Sequence, residues 1–260
     1  MKSAIIAVSF GTSYPETREK TIGACEARIE EAFPEYNVFR AFTSQKVIQI
    51  VAKQEGIQIP NVQEILSELA HKGVEEVYLQ PLHLIAGAEY EKMLGQARKF
   101  DSVFKKLGIG RPLLDSEEDF QTVAEILLHL YGQDSPKQRS LLMGHGSQHP
   151  QHKSYDHLTD YLPKEMVQIA CVEGNEIDPL MALEEEYRAA GVKRILLAPL
   201  MLVAGDHASH DLAGDGEDSW ASFFRNHGYE VDILLQGLGQ IPEIQDLYIS
   251  HVQDLLGGAV

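Results

Sequence analysis

The sequence predicts an α/β protein made of two similar halves, each a parallel sheet with helices on both faces, with an active-site cleft between the halves. Three observations lead there. Short apolar runs alternate with helix-period segments along the whole chain, the pattern of parallel sheets with crossover helices. Pro81-Leu-His-Leu-Ile-Ala-Gly87 matches Pro199-Leu-Met-Leu-Val-Ala-Gly205 at five of seven positions. Ser9-Phe-Gly-Thr-Ser13 and Gly144-His-Gly-Ser-Gln148 are turns of similar composition, each following the first strand of its half. The halves are assigned to residues 1–116 and 117–260.

Ala4–Val8 is apolar throughout and reads as a buried first strand. Pro15 opens a helix, with Ser13 as a candidate cap, that runs to about Phe33. A strand follows at Asn37–Phe42, then helices at Ser44–Glu55 and Val62–His71. Glu76–Leu79 is a strand, Glu89–Lys106 a helix, and Ile109–Leu113 an edge strand, because Pro112 is excluded from a central one. Asp115 or Ser116 caps a helix over Glu117–Tyr131, and the polar run Gly132–Arg139 is a surface connection. Strands at Leu141–Met143, Val167–Val172, Arg194–Ala198 and Val231–Leu235 alternate with helices near His152–Leu162, Pro179–Ala190, Ser219–Asn226 and Ile241–Leu256. Pro199 is expected to end its ladder.

A chain of 260 residues accommodates two such halves. The net charge of −17 argues against nucleic-acid and anionic-membrane partners, which need basic surfaces. Cys25 and Cys171 are far apart and form no Cys-x-x-Cys pair; both read as buried apolar residues in a reducing cytoplasm. The N-terminal apolar run is too short for a signal segment, and none is long enough to span a membrane. No G-x-G-x-x-G follows the first strand and no G-x-x-x-x-G-K-[ST] occurs, which disfavours a dinucleotide or nucleoside triphosphate. H-E-x-x-H and G-x-S-x-G are also missing.

The chemistry concentrates at strand ends. His145 follows a buried strand between two glycines, Glu173 ends the next, and Asp206-His-Ala-Ser-His-Asp211 follows a third. Functional groups in α/β proteins gather at the carboxyl ends of strands, so His145, Glu173 and His207 can converge. Two imidazoles and one carboxylate suit Co²⁺, Fe²⁺, Ni²⁺ or Zn²⁺ and leave coordination positions open. Three-residue spacing puts His207 and His210 on one helical face, with His207 nearer the strand end. His149, His152 and His157 read as a solvated cluster. Under the repeat, Glu89 is the counterpart of His207 and Phe10 of His145, so the first half offers an aromatic, a carboxylate and His83. That contrast assigns the metal to the second half and a flat organic partner to the first.

SFGTSY at Ser9–Tyr14, RAFTS at Arg40–Ser44, LHLIAGAEYEK at Leu82–Lys92, MGHG at Met143–Gly146, VEG at Val172–Gly174, PLMLVAGDHA at Pro199–Ala208 and GDGEDSW at Gly214–Trp220 together resemble the anaerobic sirohydrochlorin cobaltochelatases. These are class II chelatases of the ferrochelatase-like superfamily. The resemblance implies two Rossmann-like domains without a nucleotide. It also implies insertion of Co²⁺ into sirohydrochlorin (precorrin-2 in some relatives) without ATP, in cobalamin biosynthesis. The family's metal-binding histidines and glutamate fall on His145, His207 and Glu173. No cofactor is expected beyond the divalent metal substrate, with Fe²⁺, Ni²⁺ and Zn²⁺ as alternatives to Co²⁺. His145 is expected to accept a proton as well as bind metal, Glu89 to act from across the macrocycle, and Phe10 and His83 to line the tetrapyrrole wall. Arg40 and Lys46 are candidate cations for the substrate carboxylates. A metal-dependent hydrolase and a non-catalytic tetrapyrrole or metal carrier are the rival classes, and homo-oligomerisation is left open.

Overall fold

The computed structural model describes residues 2–173 and 179–258. Two compact units result, one formed by Met1–Asp115 with Gly239–Val260 and the other by Ser116–Leu238.

The first unit is a parallel sheet of β1 (Ser3–Ser9), β2 (Asn37–Phe42), β3 (Glu76–Pro81) and β4 (Lys106–Ile109), in the order β2-β1-β3-β4. Helix α1 (Pro15–Arg18) runs through a π turn at Glu19–Gly23 into α2 (Ala24–Ala32). Then come α3 (Gln45–Glu55), α4 (Val62–His71) and α5 (Ala88–Ala97). Residues Ala4–Val8 are wholly buried, as a central strand covered on both faces must be. Val62, Ile65, Leu66 and Leu69 follow helical spacing and pack α4 onto Ile6, Val8, Val77 and Leu79. A capping box starts α4: Asn61 Oδ1 accepts from the Glu64 amide at 3.0 Å, and Glu64 Oε2 accepts from the Asn61 amide at 2.8 Å.

The second unit repeats this plan. Helix α6 (Glu117–Tyr131) leads into β5 (Gln138–Gly146), α7 (Lys153–Thr159), β6 (Val167–Glu173), α8 (Pro179–Ala189), β7 (Arg194–Leu200), α9 (Trp220–Asn226) and β8 (Glu230–Ile233). The sheet is parallel in the order β6-β5-β7-β8, the same winding as the first. Its core joins Leu141, Met143, Ile195 and Leu197 to Tyr187, Leu212, Trp220 and Phe224.

Several expectations are corrected. The C-terminal helix α10 (Pro242–Gly257), assigned by sequence to the second half, belongs to the first unit. It packs on α2 and β3, where Tyr248 Oη donates to the Leu82 carbonyl at 2.9 Å and Arg111 pairs with Asp254 at 2.7 Å. Pro199 does not end its ladder: β7 continues to Leu200, and Pro199 pairs with Met143. Edge strand β8 pairs only as far as Leu197, so the missing amide of Pro199 leaves no partner on that side unmet. Pro81 sits identically in β3, beyond the last residue paired to β4 at Leu79. The helix predicted to reach Lys106 ends at Ala97 with one 3-10 turn at Arg98–Phe100, because the Lys105 and Lys106 amides bond to the Glu75 carbonyl and start β4. The edge strand therefore lies before Pro112. Tyr14, not Ser13, precedes α1, with no side-chain cap. Arg139, expected on the surface, is buried within β5. No helix among the described residues is long and apolar enough to cross a membrane.

Leu66 is fully buried between α4 and the sheet. Leu66→Ala is expected to destabilise the protein by about 2–5 kcal/mol, read as a lowered urea midpoint.

Candidate metal centre

Three consecutive strands of the second sheet, in the order β6-β5-β7, end at the same edge. His145 comes from β5, Glu173 from the last position of β6, and His207 from the turn that follows β7. Their ligand atoms all lie within 4.8 Å of one another. Two donors on one tetrahedral metal are about 3.3 Å apart, given metal–ligand bonds of about 2.0–2.1 Å, so small side-chain rotations close the set.

Both glycines flanking His145 are dictated by contact. Gly146 has φ +79°, and a Cβ there would lie 1.9 Å from the Glu173 carbonyl oxygen. A Cβ on Gly144 would meet Tyr155 Cε1 at 2.8 Å and Cys171 Sγ at 3.0 Å. The strands therefore approach closely enough to bring Glu173 beside His145. Cys171 lies on the inner side of this junction, where burial and then the Asp156 charge push its thiol up to about 12. It stays protonated, and the donor set is nitrogen and oxygen only.

Each imidazole is held by Nδ1. His145 Nδ1–H donates to the Gly146 carbonyl at 3.1 Å, and His207 Nδ1–H donates to Asp211 Oδ2 at 2.6 Å. Both arrangements leave Nε2 for a ligand. The rings meet edge to face, with centroids 4.7 Å apart. His207 caps a π-helical turn at Ala208–Leu212. Such widened turns recur at functional sites, and this one interrupts the simple helical face expected for His207 and His210. His210 instead turns to Asp206, 3.1 Å from its carbonyl and from its carboxylate. His149 Nδ1 accepts from the Gln151 amide and His152 Nδ1 from the Ser147 amide, so both shape the loop after β5. His157 stands apart, 3.0 Å from Glu117 and packed on Phe120. Gly174 of the VEG motif lies outside the described residues.

In the first unit, Phe10 follows β1 and is 48% exposed, a large apolar surface for an aromatic at a strand end. His83 follows β3, a half-buried residue whose two ring nitrogens are both buried and without hydrogen-bond partners. Burial lowers its pKa to about 4, so it is neutral at pH 7. Glu89 lies in the first turn of α5, its Oε2 3.5 Å from Lys92 Nζ. Arg40 departs from expectation. It lies inside β2 and is clamped by Glu26, with contacts of 2.8 and 2.6 Å, and by Glu19 at 3.3 Å, so it is committed to an internal ion pair. Lys46 is exposed on α3. Sequence reasoning overlooked Lys92, which joins Glu89 to the Thr43 carbonyl, and gave Asp211 no role. The signals were present: Glu89 and Lys92 are three residues apart, and His207 and Asp211 four, both neighbour spacings on a helix.

The family model of the cobalt chelatase (CbiK) matches residues 3–256. The chain is 36% identical over 263 aligned residues to the sirohydrochlorin cobaltochelatase of Salmonella typhimurium, covering 100% of this chain and 98% of that protein. It is 29% identical to the sirohydrochlorin cobaltochelatase CbiKC of Nitratidesulfovibrio vulgaris, covering 96% and 89% of the two chains. Among solved structures, SirB from Bacillus subtilis with Fe³⁺ superposes with a TM-score of 0.64 at 17% identity, covering 100% of this chain and 97% of that one. At that identity the likeness supports the shared fold alone.

Two outcomes are expected. Gly146→Ala should destabilise by more than the about 1–2 kcal/mol of a left-handed non-glycine residue, because its Cβ also collides with β6; thermal unfolding measures it. His83 binds fewer protons folded than unfolded between its lowered pKa of about 4 and the ordinary 6.5. Its contribution to stability is thus complete above 6.5 and lost as the pH falls toward 4. His83→Gln should flatten that part of the profile of urea midpoint against pH, and an unchanged slope would contradict it.

Proposed function

The chain belongs to the cobalt chelatase (CbiK) family, and from that premise we propose how its side chains carry out the reaction. It is a metal chelatase that inserts Co²⁺ into sirohydrochlorin in cobalamin biosynthesis. Insertion exchanges two pyrrole N–H protons for one divalent cation. The protein must hold the metal without trapping it, and must accept protons.

His145, Glu173 and His207 bind the incoming Co²⁺ through the two Nε2 atoms and the carboxylate. The observation that carries this assignment is that the three residues each bring one ligand atom within 4.8 Å of the others at three adjacent strand ends. Three protein ligands leave positions open for water and then for macrocycle nitrogens. Neutral imidazole both ligates and accepts a proton near neutral pH, and His145 takes that second role at Nε2, which is free for a pyrrole proton once it has released the metal. Its Nδ1 rests only on a backbone carbonyl, so a positive charge arising there meets no carboxylate through that bond.

In the first unit, Phe10 and His83 meet the tetrapyrrole. An exposed aromatic face suits a flat macrocycle, and the neutral imidazole of His83 adds an uncharged wall to it. Glu89 is the unit's catalytic carboxylate. Exposed Lys46 replaces Arg40 as the cation offered to a polycarboxylate in a chain of net charge −17. The reaction proceeds without ATP, in keeping with the absence of either phosphate-binding glycine motif. No cofactor is required beyond the metal substrate. Free, buried Cys25 and Cys171 suit a cytoplasmic location.

The test is anaerobic absorbance of sirohydrochlorin with Co²⁺ and catalytic amounts of protein. Multiple turnovers are expected, with His145→Ala reducing the rate at least a hundredfold, within the range for loss of a general base. A full rate in His145→Ala would refute its role. A spectral change only in proportion to protein added would indicate a carrier, and turnover with Fe²⁺ or Ni²⁺ but not Co²⁺ would reassign the metal.

A further inference from the structure

The two imidazoles of the metal centre are held by unlike partners. His145 Nδ1–H meets a neutral carbonyl at 3.1 Å, whereas His207 Nδ1–H meets the Asp211 carboxylate at 2.6 Å. The second contact has the length of a charge-assisted hydrogen bond. It is also built into the backbone: His207 caps the π-helical turn Ala208–Leu212, and Asp211 lies within that turn. The same segment carries a second histidine–aspartate contact, from His210 in the turn to Asp206 just before it, whose side chains are 69% and 76% exposed against 35% and 44% for His207 and Asp211. Two like pairs stand side by side, and only His207 among them belongs to the donor cluster.

We propose that Asp211 is a positioning residue that acts through His207. Its carboxylate locks the imidazole in the Nδ1–H tautomer, turns Nε2 toward Glu173 and His145, and makes Nε2 a stronger donor. Carboxylates placed this way behind metal-bound imidazoles typically change affinity by about 10–100-fold. His207 is then the fixed ligand of the set, while His145, without such a partner, is the ligand that lets go. The inference rests on the metal-site assignment above and adds a division of labour between its two histidines. Asp211 touches neither metal nor macrocycle.

The test is Co²⁺ affinity of the metal-free, full-length protein, followed by ligand-field absorption without any tetrapyrrole. Asp211→Ala is expected to weaken Co²⁺ binding about 10–100-fold. Asp211→Asn keeps an oxygen to accept Nδ1–H and should recover part of that loss. Asp206→Ala removes the same charge from just before that turn and should stay within about threefold of the parent, since an exposed charge acts weakly. His207→Ala combined with Asp211→Ala should bind no more weakly than His207→Ala alone, because Asp211 has no other route to the metal. In the metal-free state, ¹⁵N spectra should show His207 protonated at Nδ1 in the parent and a shift of that tautomer in Asp211→Ala, which also reports that the variant is folded. Unchanged affinity in Asp211→Ala, an equal loss in Asp206→Ala, or additive losses in the double variant would overturn the proposal while leaving the metal site standing. Unchanged affinity in His207→Ala would overturn the metal-site assignment, and this inference with it.

Discussion

The close approach of β5 and β6 at their carboxyl ends is the constraint on which the candidate centre depends. Gly146 faces the Glu173 backbone so tightly that no side chain fits between them. That approach follows from the register of the parallel ladder, in which Gly146 pairs with Glu173 and Gly144 with Cys171. On the other side of β5, Gly144 pairs with Leu200 at the end of β7, just before the turn that leads to His207. A single central strand therefore sets the spacing of all three donors. Leu141 and Met143 of that strand share one core with Ile195 and Leu197 of β7 and with Tyr187, Leu212, Trp220 and Phe224, so core packing and ligand geometry are one problem.

The chemistry of the donor set matches a metal that must be passed on. A thiolate would retain a soft or borderline cation strongly. The nearby thiol of Cys171 is kept protonated by its burial, which leaves imidazole and carboxylate to do the binding. Glu173 is exposed at the sheet edge and the two histidines are half-buried, so the cluster is reachable from solvent. Such an open set fits a centre that receives and releases its ion better than one that cages it.

Much of this was legible in the chain. Asn37–Phe42, Val62–His71 and Glu117–Tyr131 have the boundaries expected from sequence, the last of them marked by its cap residue Ser116. His145, Glu173 and His207 were recognisable as strand-end residues, since local apolar runs show where parallel strands stop. What escaped was tertiary. The commitment of Arg40 to Glu26 joins a strand to a helix fourteen residues upstream, and nothing local announces it. The affiliation of α10 depends on contacts such as Tyr248 with Leu82, residues 166 positions apart. The extension of β7 through Pro199 depends on where its neighbour β8 stops, which is a property of the pair and not of either strand.

The return of Gly239–Val260 to the first unit has a consequence for synthesis. The unit bearing the donor cluster is an insertion: its residues, Ser116–Leu238, leave the ribosome as one continuous segment. The first unit begins earlier but lacks α10 until residues 242–257 follow the second unit, and α10 contributes Ile244, Tyr248, Val252 and Leu255 to its buried interior. Domains usually complete in the order of translation, N-terminal first. Here the order is inverted, and the metal-binding half matures while the half that starts the chain still waits for its final helix.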